Sequence, residues 1–84
     1  MGFLIGEELK ELTLIQLKPG HKARVISISG GKNLHDRMMT LGIYNNQEIS
    51  KLSHIGLKGP VVVKVGRSII ALGHGVAEKI TVGI

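Results

Sequence analysis

The sequence contains no cysteine and only two aromatic residues, Phe3 and Tyr44. The absence of cysteine excludes a disulfide framework and the cysteine-based zinc and iron–sulfur sites. With so few aromatic side chains, the core of the protein must be aliphatic, built from Val, Ile, Leu and Met. The chain also lacks an uninterrupted apolar run of the roughly 18 residues that a membrane-spanning helix needs.

Acidic residues are scarce as well. Six Asp and Glu stand against 11 Lys and Arg, which gives a net charge of +5 with His neutral. Such a balance suits an acidic protein, nucleic acid or an anionic membrane as partner, although a charge of this size is also ordinary for solubility. The basic residues are scattered along the chain, and Tyr44 alone is a poor platform for stacking bases, which argues against nucleic acid.

The length of 84 residues allows one domain. The opening letters, MGFLIGEELKEL, carry no basic segment before the apolar residues, so we expect no secretory signal. We therefore expect a soluble, cytoplasmic protein. We assign residues 1–11 to an N-terminal extension and residues 12–84 to the domain.

Short alternating segments separated by Gly and Pro predict five strands. Pro19-Gly20 is typical of a type II turn, and Gly66-Arg67 is typical of a type II′ hairpin. In the first strand, alternation predicts Val25 on one face and Ile28 on the other. Five short antiparallel strands around an aliphatic core predict a small SH3-like barrel, a mainly β fold. The predicted strands are 21–29, 47–55, 60–65, 68–72 and 79–84.

The letters GGKNLHDRMMTLGI predict one helix, inserted between the first and second of these strands. Asn33 is a suitable N-cap residue, and Gly42 can take the left-handed conformation that ends a helix. A helix of about two turns is not stable alone in water, so it must dock on the sheet. The apolar stripe predicted to do so consists of Leu34, Met38 and Leu41.

Spacings typical of metal sites and catalytic centres are missing: H-E-x-x-H, G-x-S-x-G and the phosphate-binding G-x-x-x-x-G-K-[ST] do not occur. We predict no enzymatic activity, no catalytic residue, no resident metal, no cofactor and no small-molecule substrate. The histidines lie on different predicted turns and strands, and we expect all four to face solvent. They are His21, His35, His54 and His74.

The predicted helix also carries an apolar residue, Met39, on the side away from the stripe. An exposed Met among polar neighbours is an adaptable protein-contact residue. The alternative is that Met39 packs on the loop at Leu57, and the residues leave both interpretations open. The candidate partner-binding residues are His35, Arg37, Met38, Met39, Leu57 and Lys58.

The segments LIQLKPGHKARVISISGG, LHDRMMTLGI and PVVVKVGRSIIALGHGVAEKITV together resemble the FeoA family of ferrous-iron transport proteins. The resemblance covers residues 12–84. It implies an SH3-like fold with an inserted helix, and an accessory protein of bacterial or archaeal iron uptake without catalytic residues or cofactor. The implied partner is FeoB, a membrane transporter of ferrous iron linked to a GTPase. One departure is Asn45-Asn46, where the family often has Pro-Gly.

Two other functions remain open at this point. A basic SH3-like module can bind nucleic acid, and the sign of this would be a steep salt dependence. A similar SH3-like domain is fused to iron- and manganese-dependent repressors, which suggests a metal-sensing module that uses the scattered histidines. A metal titration that leaves the histidine resonances unmoved would exclude the second.

Overall fold

The computed structural model describes residues 10–84, so the predicted extension over residues 1–11 lies outside the described residues except for Lys10 and Glu11. The elements follow one another as β1 (Glu11–Thr13), β2 (Lys22–Ile28), α1 (Lys32–Thr40), β3 (Glu48–His54), β4 (Val61–Val65), β5 (Ser68–Leu72), α2 (His74–Ala77) and β6 (Ile80–Gly83).

The strands form one antiparallel sheet in the order β1-β6-β2-β3-β4-β5. The mainly β architecture with a helix between the first two predicted strands is thus confirmed. The five predicted strands are β2 to β6, and β1 is an additional strand that pairs with β6. Three residues are too few for an alternating pattern, so only its distant partner identifies β1 as a strand.

The buried side chains form one aliphatic core, as the composition predicts. Fully burying one Val, Leu or Ile side chain contributes about 1.5–3 kcal/mol, so these residues supply the main driving force for folding. Met38 is the contribution of α1 to this core. The buried apolar residues are Leu14, Leu17, Ala23, Val25, Met38, Ile43, Ile49, Val61, Val63, Val65, Leu72, Ala77, Ile80 and Val82.

A β-bulge in β2 changes which side chains face the core. The register with β6 shifts between Val25 and Ser27, so that Val25 pairs with Val82 and Ile28 pairs with Ile80. Both partners are buried, and Ile28 packs against the core. The prediction that Val25 and Ile28 lie on opposite faces is therefore wrong, because the extra residue of a bulge reverses the alternation beyond it.

The inserted helix is present, but its start and stripe differ from the prediction. It begins at Lys32 after Gly31, which has φ 93° and makes no side-chain cap, so Asn33 lies inside the first turn and is not the N-cap. The stripe includes Leu34 and buried Met38 but not Leu41, whose side chain is 41% exposed. Leu41 is the C-cap residue of the helix, directly before Gly42, whose positive φ ends it.

The end of α1 follows the predicted Schellman geometry. Gly42 has φ 89°, and its N–H donates to the Met39 carbonyl at 3.0 Å. The Ile43 N–H donates to the Met38 carbonyl at 2.8 Å, and both of these side chains are buried. Two carbonyls that a helix end leaves without partners are satisfied in this way.

The predicted turns are also observed. The His21 N–H donates to the Lys18 carbonyl at 3.2 Å across a turn whose third residue, Gly20, has φ 89°, as a type II turn requires. Gly66 has φ 60° in the two-residue β4–β5 hairpin. Asn46 has φ 72°, a conformation that Asn tolerates better than most residues.

We predict that Gly42→Ala destabilises the protein by about 1–2 kcal/mol, because an L side chain is disfavoured at positive φ. The substituted Cβ would meet only Val65 Cγ1, at an ordinary 4.0 Å, so the loss measures backbone strain and not a clash. Gly73→Ala is the matched control. Gly73 has φ −63° and open space around it, and we expect a change within about 0.5 kcal/mol.

Urea unfolding of both variants and the wild type, followed by circular dichroism, would measure these differences. Equal stability of the Gly42 and Gly73 variants would contradict the assignment of Gly42 as the residue that ends α1.

Candidate functional site

The outer face of α1 combines an apolar side chain with charged ones. Met39 is 50% exposed, Arg37 is exposed and His35 is half-buried. Lys32 and Asp36 pair at 3.0 Å on the exposed surface of the same helix. An exposed pair of this kind contributes little stability, and the mobile, polarizable Met39 can adapt to a partner.

Met38 does not belong to this surface. Its side chain is 1% exposed and packs into the core, so a partner cannot contact it without unfolding the helix. The prediction placed neighbouring Met38 and Met39 in one set, but successive residues of a helix point about 100° apart. Met38 holds α1 on the sheet, and Met39 faces outward.

The second part of the predicted surface is the β3–β4 loop, residues 55–60. Its Leu57 is 90% exposed, which excludes the alternative that Met39 packs on Leu57. Lys58 beside it is exposed, and Ile55 is 59% exposed. The loop therefore presents two apolar side chains and one cation to solvent.

The structure separates this loop from the end of α1. An added Cβ at Gly42 would lie 4.0 Å from Val65 Cγ1, which places the end of the helix beside the last residue of β4. The loop joins the opposite end of β4, at Val61. Four steps along a strand span about 13 Å, so the loop and the Met39 end of α1 form two surfaces and not one.

A cluster of polar side chains lies inside the fold, where the sequence predicted none. Lys51 of β3 is 1% exposed. Its Nζ donates to the carbonyls of Leu14 and Ile15 at 2.8 and 2.9 Å, and it lies 3.3 Å from Nδ1 of His54. The three donors of an ammonium group thus have three acceptors, which offsets much of the cost of burying the charge.

A β-bulge in β3 brings Lys51 and His54 together. Residues three apart in a regular strand point to opposite faces. The register with β4 shifts between Lys51 and Ser53, so Lys51 pairs with Val63 and His54 pairs with Val61, two residues that both face the core. The shift cannot be seen in the sequence, and it explains why this cluster was not predicted.

A second histidine reaches the cluster from α2. The rings of His54 and His74 have centroids 6.1 Å apart, and His74 Nε2 lies 3.9 Å from a Glu78 carboxylate oxygen. His54 is half-buried, and the His74 side chain is 28% exposed. The prediction that all four histidines face solvent is therefore wrong for this pair, and His35 of α1 is half-buried as well.

The contact with Lys51 determines which nitrogen of His54 accepts a hydrogen bond. An ammonium group can only donate, so His54 Nδ1 accepts and the proton of the neutral ring resides on Nε2. Burial lowers the pKa of His54, and the charge of Lys51 and the proximity of His74 lower it further. Burial also lowers the pKa of Lys51.

This arrangement is poorly suited to a metal ion. His54 Nε2 and His74 Nδ1 are buried and have no hydrogen-bond partner within residues 10–84, but the Lys51 ammonium group lies 3.3 Å from the His54 ring. The Lys51 charge also repels a cation. Across the same residues, no group of three or more His, Asp or Glu side chains is placed to hold a metal ion.

Comparison with known proteins assigns the family. The family model of the FeoA domain matches residues 12–83. The chain belongs to the FeoA family. A Campylobacter jejuni FeoA relative, to which a role as Fe²⁺ transport protein A has been ascribed, is 30% identical over 74 residues, which are 87% of this chain and 99% of the relative.

Solved structures agree with the FeoA assignment. A crystal structure of an iron uptake regulatory protein (FeoA) superimposes with a TM-score of 0.80 at 28% identity, covering 90% of this chain and all of that one. Stenotrophomonas maltophilia FeoA, a prokaryotic SH3 domain protein crystallised with zinc, gives 0.72 at 24% identity over 84% of this chain and 88% of its own. That similarity shows the fold alone, which is SH3-like.

The same fold occurs in a manganese-dependent transcriptional repressor, with a TM-score of 0.80 at 20% identity. The similarity covers 89% of this chain and 42% of the repressor, and it shows the fold alone. In the described part of this FeoA-family chain, no helix has the length and apolar character needed to cross a membrane.

The His54 environment predicts a pH dependence of stability. Because the folded pKa lies below the unfolded value of about 6.5, the unfolded chain takes up a proton first as the pH falls. The free energy of unfolding should therefore decrease as the pH is lowered from 6.5 through the folded pKa. The depressed pKa of Lys51 acts in the same direction at higher pH.

We predict that His54→Gln flattens this dependence between pH 7 and pH 5, since Gln can accept from Lys51 but does not titrate. His21→Gln is the control, because His21 is exposed and outside the cluster. Urea unfolding at a series of pH values would measure the slopes. A slope of the His54 variant equal to that of the wild type would contradict the role of His54.

Proposed function

We propose that this protein is a non-enzymatic, cytoplasmic accessory protein of ferrous-iron uptake that acts by binding the transporter FeoB. The observation that carries the proposal is the match of the FeoA model to nearly the whole chain, residues 12–83. The Campylobacter jejuni relative, with its ascribed role in Fe²⁺ transport, supports the same process. Iron is then the cargo of the partner, and this chain modulates the GTPase-linked transport.

The first contact surface that we propose is the outer face of α1, with His35, Arg37 and Met39. The C-cap residue Leu41 and the loop residue Tyr44 add two further exposed apolar side chains, at 41% and 44% exposure. Exposed apolar residues that are adjacent and surrounded by polar ones are typical of protein-contact sites. Burial of the patch by a partner would supply the apolar centre of an interface, and Arg37 would lie at its rim.

The second contact surface is the loop with Leu57 and Lys58. An apolar side chain that is 90% exposed gains the full free energy of burial when a partner covers it. Because the loop and the Met39 end of α1 lie at opposite ends of β4, each surface must be tested by itself. A partner that contacts both must cover the length of that strand.

The experiment is an NMR titration of ¹⁵N-labelled protein with the soluble G domain of FeoB from the same organism. We expect shifts confined to residues 34–44, to residues 55–59, or to both. A mixed oligonucleotide serves as the second ligand. Shifts with the oligonucleotide alone, which fade as salt is raised, would overturn the proposal in favour of nucleic-acid binding.

We predict that Met39→Asp weakens binding of the G domain about tenfold, because an introduced carboxylate must lose its water in an apolar contact. Leu57→Asp should have the same effect if the loop belongs to the interface. Ile84→Asp is the matched control, since Ile84 is also 50% exposed but lies outside both surfaces.

Isothermal titration calorimetry would give the affinities, and circular dichroism would confirm that the variants fold. Unchanged affinity of the Met39 variant removes α1 from the interface, and unchanged affinity of the Leu57 variant removes the loop. An Ile84 variant that binds as weakly as the others would show that charge alone weakens binding.

A further inference from the structure

The strand β5 forms one edge of the sheet and has a free side. It pairs with β4 from Val61–Leu72 to Val65–Ser68 without a register shift, whereas β2 and β3 are both bulged. Natural proteins protect sheet edges with bulges, prolines or charged residues. The sequence of β5, SIIAL, contains none of these devices.

The backbone groups available on this edge can be identified from the register. Val65 and Ser68 flank a two-residue turn, and such a pair exchanges hydrogen bonds. Pairs alternate along an antiparallel ladder, so Ile69 and Ala71 direct their N–H and C=O groups away from β4. Within residues 10–84, no hydrogen bond reaches these groups.

The side chains at the same positions are accessible. Ile69 is 66% exposed, Ala71 is exposed, and Ile70 between them is only half-buried. An added strand would therefore gain main-chain hydrogen bonds and apolar contacts together, which is how extended peptides bind sheet edges.

The charge around the edge indicates which kind of segment can bind there. Residues 56–73 contain three cations, Lys58, Lys64 and Arg67, and no Asp or Glu. Glu48 lines the same surface pocket as Lys64, but its carboxylate pairs with Lys22 at 3.5 Å. A second copy of this chain would bring the same cations and another +5 charge to the edge, which opposes self-pairing.

We propose that the free edge of β5 binds an extended protein segment flanked by acidic residues, which joins the sheet as an additional strand. The main-chain groups of Ile69 and Ala71 hold the segment, and Lys64 and Arg67 attract its carboxylates. This inference does not rest on the proposed function, although the start of the edge adjoins the end of α1, since Gly42 lies beside Val65 and Val65 pairs with Ser68.

The test uses the full-length protein and a defined probe, the capped peptide EEVTVTVEE, with KKVTVTVKK as the charge control. NMR titration should show shifts centred on residues 68–72 and slower amide exchange at Ile69 and Ala71 with the acidic peptide. The lysine peptide should bind at least about tenfold more weakly at low salt. No binding of the acidic peptide at 5 mM overturns the proposal.

Two variants separate the backbone from the side chain. Ile69→Pro removes an N–H that points away from β4, so the fold should survive, and edge strands tolerate proline. Ile69→Thr retains this N–H and a β-branched side chain. We expect Ile69→Pro to lose at least about tenfold in affinity and Ile69→Thr to remain within about threefold of the wild type.

The spectrum of each variant reports whether it folds. If the proline variant binds the acidic peptide as tightly as the wild type, the proposal is overturned. Slow amide exchange at Ile69 and Ala71 in the free protein would also overturn it, because the edge would then already be covered by the chain itself or by a second copy. Titration of Ile69→Pro with the FeoB G domain tests the α1 surface separately, since this variant leaves α1 unchanged.

Discussion

The buried ammonium group of Lys51 ties the segment after β1 to the middle of the sheet. Its side chain holds the carbonyls of Leu14 and Ile15, and its backbone also bonds to the following turn. The Gly20 N–H donates to the Lys51 carbonyl at 2.7 Å, and the Lys51 N–H donates to the His21 carbonyl at 3.0 Å. Through one residue, the segment from Leu14 to His21 is attached to β3 at four points.

The loss of any one of these hydrogen bonds would destabilise the fold. A buried charge is tolerated only when its donors have acceptors, and a buried carbonyl that loses its donor costs about 1–3 kcal/mol. The bulge in β3 is the condition for the arrangement, because it turns His54 to the side of Lys51 and supplies the third acceptor. The polar cluster therefore depends on the bulge in β3.

Local features of this fold could be predicted from the sequence, and features that depend on register could not. The Pro19-Gly20 turn, the hairpin at Gly66 and the end of α1 at Gly42 each depend on two to six neighbouring residues, and all three are as predicted. The orientation of the Ile28 side chain and the contact between Lys51 and His54 depend on bulges. A bulge is selected by the partner strand, which the pattern of one strand does not contain.

The same distinction applies to the candidate surfaces. Helical geometry is local, so the outward position of Met39 could be predicted. The start of the helix after two glycines and the exposure of Leu41 could not be predicted. The separation of the Leu57 loop from the end of α1 depends on tertiary structure, because the two lie at opposite ends of β4. The resemblance to FeoA supplied the fold, but it carries no information about which side chains meet.

The polar cluster of this fold is buried, and several of its apolar side chains are exposed. Among the described residues, Lys51, His54 and His74 form a polar cluster inside the fold, and the lysine at its centre is 1% exposed with all three donors occupied. A substrate could reach this lysine only by breaking the contacts that hold the fold together. The accessible features, in contrast, are an apolar helix end, an apolar loop and an unprotected strand edge, which are the groups that another protein recognises.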